Sequence, residues 1–162
     1  MDSQEETISQ AELELRAAGI AFERAPAIEA AGSLEEFAQR SWLRPGQVIK
    51  SLLLDIDGQR QALLLLPGDR SAAFAALRRH FGARSVRLAD RTLVESVTGY
   101  RVGTVTPFGL ALPGLSILLD ETLLEEPLIS IGIGRPGRHL RLSPRDLVVA
   151  LKAIAGPFSR PA

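Results

Sequence analysis

A chain of 162 residues, 46% of them apolar, suffices for one domain with its own core and is short for two. With 19 basic and 19 acidic residues the formal charge is zero, so no global field draws the protein to nucleic acid or to an anionic membrane, and any RNA contact must be local. Cysteine is absent and the two histidines, His80 and His139, lack ligand spacing, which excludes disulfides and thiolate zinc sites and argues against a metal enzyme.

The acidic, polar start Met1-Asp-Ser-Gln-Glu-Glu does not read as a signal peptide, and no apolar run nears the roughly 20 residues of a membrane span. The expectation is a cytoplasmic protein of one domain over residues 1–162, loose at about 1–5 and 157–162. Glu6 to Ala18 predicts a helix closed by Gly19, and Ile20 to Arg24 a brief edge strand. Ser33 caps a second helix running to about Trp42, and Pro45-Gly46 makes a turn. Val48 to Ile56 and Gln61 to Leu66 are strand-forming runs joined by Asp57-Gly58, a hairpin signal. Ser71 to Phe81 has helical spacing and stops at Gly82. Val86 and Leu88 make a short strand, and Asp90 caps a helix from Arg91 to Thr98. Strands follow at Leu115 to Leu119, Leu128 to Ile133 and Arg138 to Leu142, with a short helical turn after Asp120. Ser143-Pro144-Arg145-Asp146 opens a last helix running to about Ala155. The fold class is mixed α/β (α+β): a central, partly antiparallel sheet surrounded by helices.

Gly132-Ile-Gly134-Arg-Pro-Gly137 satisfies the dinucleotide-binding pattern G-x-G-x-x-G, but its context does not. A phosphate site of that kind needs a helix opening after the glycines. Pro136 and the alternation from Arg138 to Leu142 predict a hairpin turn instead.

Two features carry chemistry. If Val48 to Ile56 is a strand, Lys50 shares a face with Val48, Leu52 and Leu54, an expensive place for an ammonium unless it snorkels to water or lines a polar site. Of the 19 basic residues only Lys50 and Lys152 are lysine. The second feature is Gly103-Thr104-Val105-Thr106-Pro107-Phe108-Gly109, an uncharged loop of turn formers that either simply connects elements or presents main-chain N–H groups to an oxygen.

These segments resemble one family. Val48-Ile-Lys50-Ser-Leu, Leu66-Pro-Gly-Asp69, Thr98-Gly-Tyr100, Gly103 to Gly109, Leu119-Asp-Glu121, Gly132-Ile-Gly134-Arg and Leu142-Ser-Pro-Arg-Asp-Leu147 stand in the order and spacing of the YbaK and prolyl-tRNA-synthetase-associated editing domains, from about Pro45 to Leu151. The resemblance implies trans-editing, the hydrolysis of the ester between a wrong amino acid and the terminal adenosine of tRNA. It implies a catalytic pair in Lys50, on the terminal adenosine or its phosphate, and Gly103, in a loop whose amides hold the substrate carbonyl. Thr104, Val105, Thr106, Pro107, Gly134 and Arg135 would then bind substrate, with water activated by the tRNA's own ribose hydroxyl and with no cofactor or metal. Relatives that clear alanine from proline tRNA often carry a histidine in the glycine turn, where Arg135 stands here. Arg138 and Arg141, in a basic group with Arg135 and Arg145, are the candidate tRNA contacts. The implied partners are the acceptor end of mischarged tRNA and an aminoacyl-tRNA synthetase, with no membrane and no DNA. A non-catalytic module of the same fold, holding tRNA, a nucleotide or a synthetase, stays open as the alternative, as does a hydrolase of another small ester.

Overall fold

The computed structural model describes residues 7–162, so the expected start of the first helix at Glu6 and the loose segment 1–5 lie outside the described residues. Helix α1 (Gln10–Ala17) begins at a capping box, in which the Ser9 hydroxyl accepts from Glu12 N–H and the Glu12 carboxylate accepts from Ser9 N–H. Of the predicted first strand only β1 (Glu23–Arg24) forms, and α2 (Leu34–Arg40) follows Ser33, whose hydroxyl caps it as expected. Pro45–Gln47 turns once and leads into β2 (Ile49–Ile56) and β3 (Arg60–Pro67). Asp57 and Gly58 between them both hold positive φ, 54° and 68°, the conformation an Asp-Gly hairpin turn needs. The Asp57 carboxylate also accepts the amides of Arg84 and Ser85, fixing the start of β5 (Val86–Leu88) beside the turn.

Three expectations are corrected. The run from Ser71 to Phe81 is not one helix: β4 (Arg70–Ala72) comes first and α3 (Phe74–Phe81) follows. Helix α4 (Arg91–Thr98) and strand β6 (Ser116–Asp120) fall where predicted, as do β7 (Ile129–Gly132) and β8 (His139–Leu142). The last helix, α5 (Pro144–Leu151), ends four residues early at Lys152, which takes the left-handed conformation (φ 51°) and turns the chain into β9 (Ile154–Gly156). Ser143 sits at its N-cap without a side-chain cap bond. The C-terminal residues, expected loose, form β10 (Ser159–Pro161) against β4. The reason is Phe158, only 3% exposed, whose N–H donates to the buried Asp120 carboxylate at 2.9 Å.

The main sheet runs β5-β2-β3-β6-β9, antiparallel on the β2 side and parallel from β3 to β9. Both faces are covered, which is why β3 is buried from Ala62 to Pro67 instead of alternating. Leu54, Leu64 and Leu66 meet Leu77 of α3 and Phe158 on one face. On the other, Ile49, Leu53 and Leu65 meet α1, α4, α5 and the small antiparallel sheet β1-β8-β7. One parallel bridge, Val48 to Ser130, links the two sheets. No helix among the described residues is long and apolar enough to cross a membrane.

Candidate active site

Strand β2 is incompletely sheathed, and that gap makes the site. Its whole length pairs with β3, but on the other side β5 pairs only with Leu54 to Ile56. Between that short ladder and the Val48 bridge lies a cavity of about 460 Å³, within the range of ligand pockets. Its walls are Ile49 to Leu53 of β2, Leu34 and Phe37 of α2, Ala89 and Val94 near the start of α4, residues 102–105, and Gly134 to Gly137 with His139.

Lys50 is half-buried there, on the face it shares with Val48 and Leu52. Burial pulls its pKa below the ordinary lysine value, and the nearby Asp69 and Glu35 carboxylates act in the opposite sense. Its ammonium makes no salt bridge with a described residue.

The loop after α4 is anchored at both ends. Tyr100 N–H donates to the Thr98 hydroxyl at 3.1 Å, and the Tyr100 hydroxyl donates to the Phe108 carbonyl. Phe108 is fully buried in the larger core cluster. Gly103 holds φ 94°, a conformation that favours glycine. Thr104 folds both its N–H and its hydroxyl onto the Arg101 carbonyl at 3.0 Å, whereas the amides of Gly103 and Val105 meet no partner among the described residues. Gly103, Thr104 and Val105 line the cavity. Thr106 and Pro107 do not: the buried Thr106 hydroxyl donates to the Gly132 carbonyl at 2.7 Å, tying loop to turn, and Pro107 lines a groove shared with Gln10 and Tyr100.

The glycine motif is a hairpin turn, as its context predicted: β7 and β8 pair antiparallel, and Ile133 N–H closes on the Arg138 carbonyl. Gly134 (φ 92°) packs flat against Tyr100, where a Cβ would overlap the ring, and a Cβ on Gly137 would overlap the Ile28 carbonyl. Gly134 and the exposed Arg135 both reach the cavity. Arg138 instead shares a small recess with Glu12 and Arg24. Arg141 does not line the cavity and donates to the Ser41 carbonyl at 2.8 Å.

The residue that sequence reading passed over is His139. It stands opposite Gly132 in the ladder and lines the cavity, so a histidine faces the glycine turn after all, from the strand that follows Arg135. Its Nδ1 bonds the fully buried Ser130 hydroxyl at 2.9 Å, and its ring lies 4.2 Å from that of Phe37. Burial, reinforced by Arg141, pushes its pKa down to about 4, so the imidazole is neutral at physiological pH. The available signal was its place, first on the strand leaving the turn. Spacing could not reveal it, since one histidine has none. No cluster of three or more potential metal ligands occurs among the described residues.

Comparison with known proteins agrees with this geometry. A family model described as an aminoacyl-tRNA editing domain matches residues 28–149, which include every wall of the cavity. The proline–tRNA ligase of Moorella thermoacetica is 38% identical over 99 residues, covering 59% of this chain but 16% of that protein. The chain therefore spans less than a fifth of such ligases. The uncharacterized protein YwhH of Bacillus subtilis is 26% identical over 115 residues, 71% of this chain and 72% of that one. Among solved structures, the hypothetical protein APE2540 superposes with a TM-score of 0.85 at 26% identity, over 93% of this chain and 99% of the other. A proposed trans-editing enzyme for prolyl tRNA synthetase does so at 0.80 and 25% identity, over 93% and 95%. With the match extending over the Lys50 strand, the Gly103 loop and the Gly134 turn, the chain belongs to the aminoacyl-tRNA editing domain family.

Proposed function

We propose that the protein hydrolyses the ester of a mischarged aminoacyl-tRNA, acting on the acceptor end in trans. The observation that carries this reading is the convergence of Lys50, the unengaged amides of Gly103 and Val105, and the Gly134 turn on one cavity. An ester is already labile, so holding its carbonyl in a field of fixed N–H donors and positioning a water supply much of what the reaction requires. In the reaction, a water oxygen attacks the ester carbonyl carbon and the developing oxyanion faces the Gly103 loop. The bond from that carbon to the ribose oxygen then breaks, the ribose oxygen takes a proton, and the free amino acid leaves. Water activation falls to the neighbouring ribose hydroxyl of the tRNA, and the protein supplies neither a nucleophile nor a metal. Lys50 holds the phosphate of the terminal adenosine. Val94, Val105 and Leu53 shape the wall, and no Asp or Glu is among the described residues that line the cavity, so nothing there pairs with a cationic side chain and the cleaved amino acid is not a basic one.

A panel of mischarged tRNAs tests the proposal. Release of one amino acid class at catalytic protein concentrations supports it, and turnover of a free amino-acid ester but of no charged tRNA would point to a different hydrolase. Binding without turnover would assign a non-catalytic module that delivers tRNA to a synthetase.

A further inference from the structure

The cavity touches five consecutive residues of β2, Ile49 to Leu53. Successive side chains of a strand point to opposite faces, so a cavity on one face touches alternate residues. Contact with an unbroken run places this cavity against the strand's edge. The ladder fixes which main-chain groups lie there. Ala89 N–H donates to the Leu53 carbonyl and Asp57 N–H to the Ser85 carbonyl, whereas Gly68 N–H donates to the Val48 carbonyl. Odd-numbered residues of β2 thus direct N–H and C=O toward β5, and even-numbered ones toward β3. The next partner for Ser51 on the β5 side would be residue 91, but Arg91 has already turned into α4. Ser51 therefore presents its N–H and C=O side by side to the cavity. Apolar groups flank that edge on both faces: Phe37 packs with Val48 on one, and Val94 and Val105 pack with Ile49 and Leu53 on the other.

A flat slot with apolar walls and one adjacent donor and acceptor fits a planar base carrying the complementary pair. We propose that the open edge of β2 at Ser51 reads adenine: Ser51 N–H donates to ring N1 and its carbonyl accepts from the N6 amino group, with the base lying between Phe37 and Val94. The choice of adenine rests on the editing reading, in which the substrate ends in adenosine, and it places the base one residue from Lys50.

Amide NMR of the full chain, titrated with adenosine 5′-monophosphate and with purine riboside 5′-monophosphate, which lacks the N6 amino group, tests the edge directly. The Ser51 amide proton should move downfield with the first, which should bind about 10- to 100-fold tighter than the second. Equal affinities, an unmoved Ser51 amide, or no binding at millimolar adenosine 5′-monophosphate would each overturn the inference. A mischarged tRNA ending in N6,N6-dimethyladenosine should lose a similar factor in kcat/KM relative to one ending in adenosine, and an unchanged value also overturns it. If no mischarged tRNA is hydrolysed at all, the editing reading fails, while the nucleotide titration still decides whether the edge reads adenine. Ser51→Pro removes the donor to ring N1 but keeps the Ser51 carbonyl and the main-chain hydrogen bonds to β3, so it should weaken both nucleotides by a similar factor and leave the preference for the N6 amino group in place; unchanged affinities in the folded variant would overturn the inference.

Discussion

Acidification should destabilise this protein through His139 within a window set by its burial. The folded pKa of about 4 lies below the ordinary 6.5, so between those pH values the unfolded chain binds a proton that the native chain refuses. Stability then rises with pH across the window, is complete above about 6.5, and is lost as pH falls toward about 4. At 1.36 kcal/mol per pH unit the full gap is about 3 kcal/mol, of which about 2 kcal/mol falls between pH 7 and pH 4.5. The physical source is the cost of placing an imidazolium against Phe37 and beside Arg141. His139→Asn keeps a polar group within reach of the Ser130 hydroxyl but does not titrate. Urea unfolding of both proteins across that pH range isolates the effect, because every carboxylate they share cancels in the difference. The wild type should lose about 2 kcal/mol more than the variant on acidification. Parallel pH profiles would refute the neutral, buried imidazole.

Other perturbations test other parts of the site. Gly134→Ala forces a Cβ into Tyr100 at φ 92° and should lower stability by about 1–3 kcal/mol, read as a melting-temperature drop of several degrees. Lys50→Met should abolish deacylation yet leave the melting temperature unchanged or raised, because burial already opposes the Lys50 charge; a large destabilisation would make Lys50 structural. Trp42 is 95% exposed at φ 61°, so Trp42→Gly relieves a strained backbone without emptying a core and should raise the urea midpoint by an amount worth about 1 kcal/mol; a fall would show that the indole packs on something. Replacing Arg135 and Arg138 together with Ala should flatten the salt dependence of tRNA binding by about 0.7 to 0.9 in log-log slope for each phosphate no longer neutralised, and raise KM more than it lowers kcat.

The hairpin of β2 and β3 was legible because local and global signals agree there: two β-rich runs, an Asp-Gly turn, and burial on both sides. The C-terminal elements were not. Strands β4 and β10 are three residues each and are defined by one another across 89 residues of chain, so neither carries a periodicity of its own. The Ala-rich stretch before Leu77 has helical spacing whether or not its first residues are helical, and the β10 partner decides. In the site, Lys50 announced itself as a charge inside an apolar run, and the loop through its glycines. Thr106 and Pro107 share that signature but do not line the cavity: the Thr106 hydroxyl goes to the Gly132 carbonyl, and Pro107 lines a separate groove.

The cavity itself follows from where one strand stops. Strand β5 leaves the sheet after Leu88 because Asp90 accepts the Leu93 amide at 2.8 Å and starts α4, which swings the chain off the β2 edge. Had the strand continued, residue 91 would pair with Ser51 and close the edge that now faces the cavity. The helix so begun carries Val94 into the wall, and its glycine stop at Gly99 delivers Tyr100 to brace the Gly134 turn and the chain to the Gly103 loop. A single helix start thus opens the main-chain edge, supplies one apolar wall, and aims the loop at the same space. Asp90 does not itself line the cavity, yet the open edge of β2 depends on the helix start that it caps.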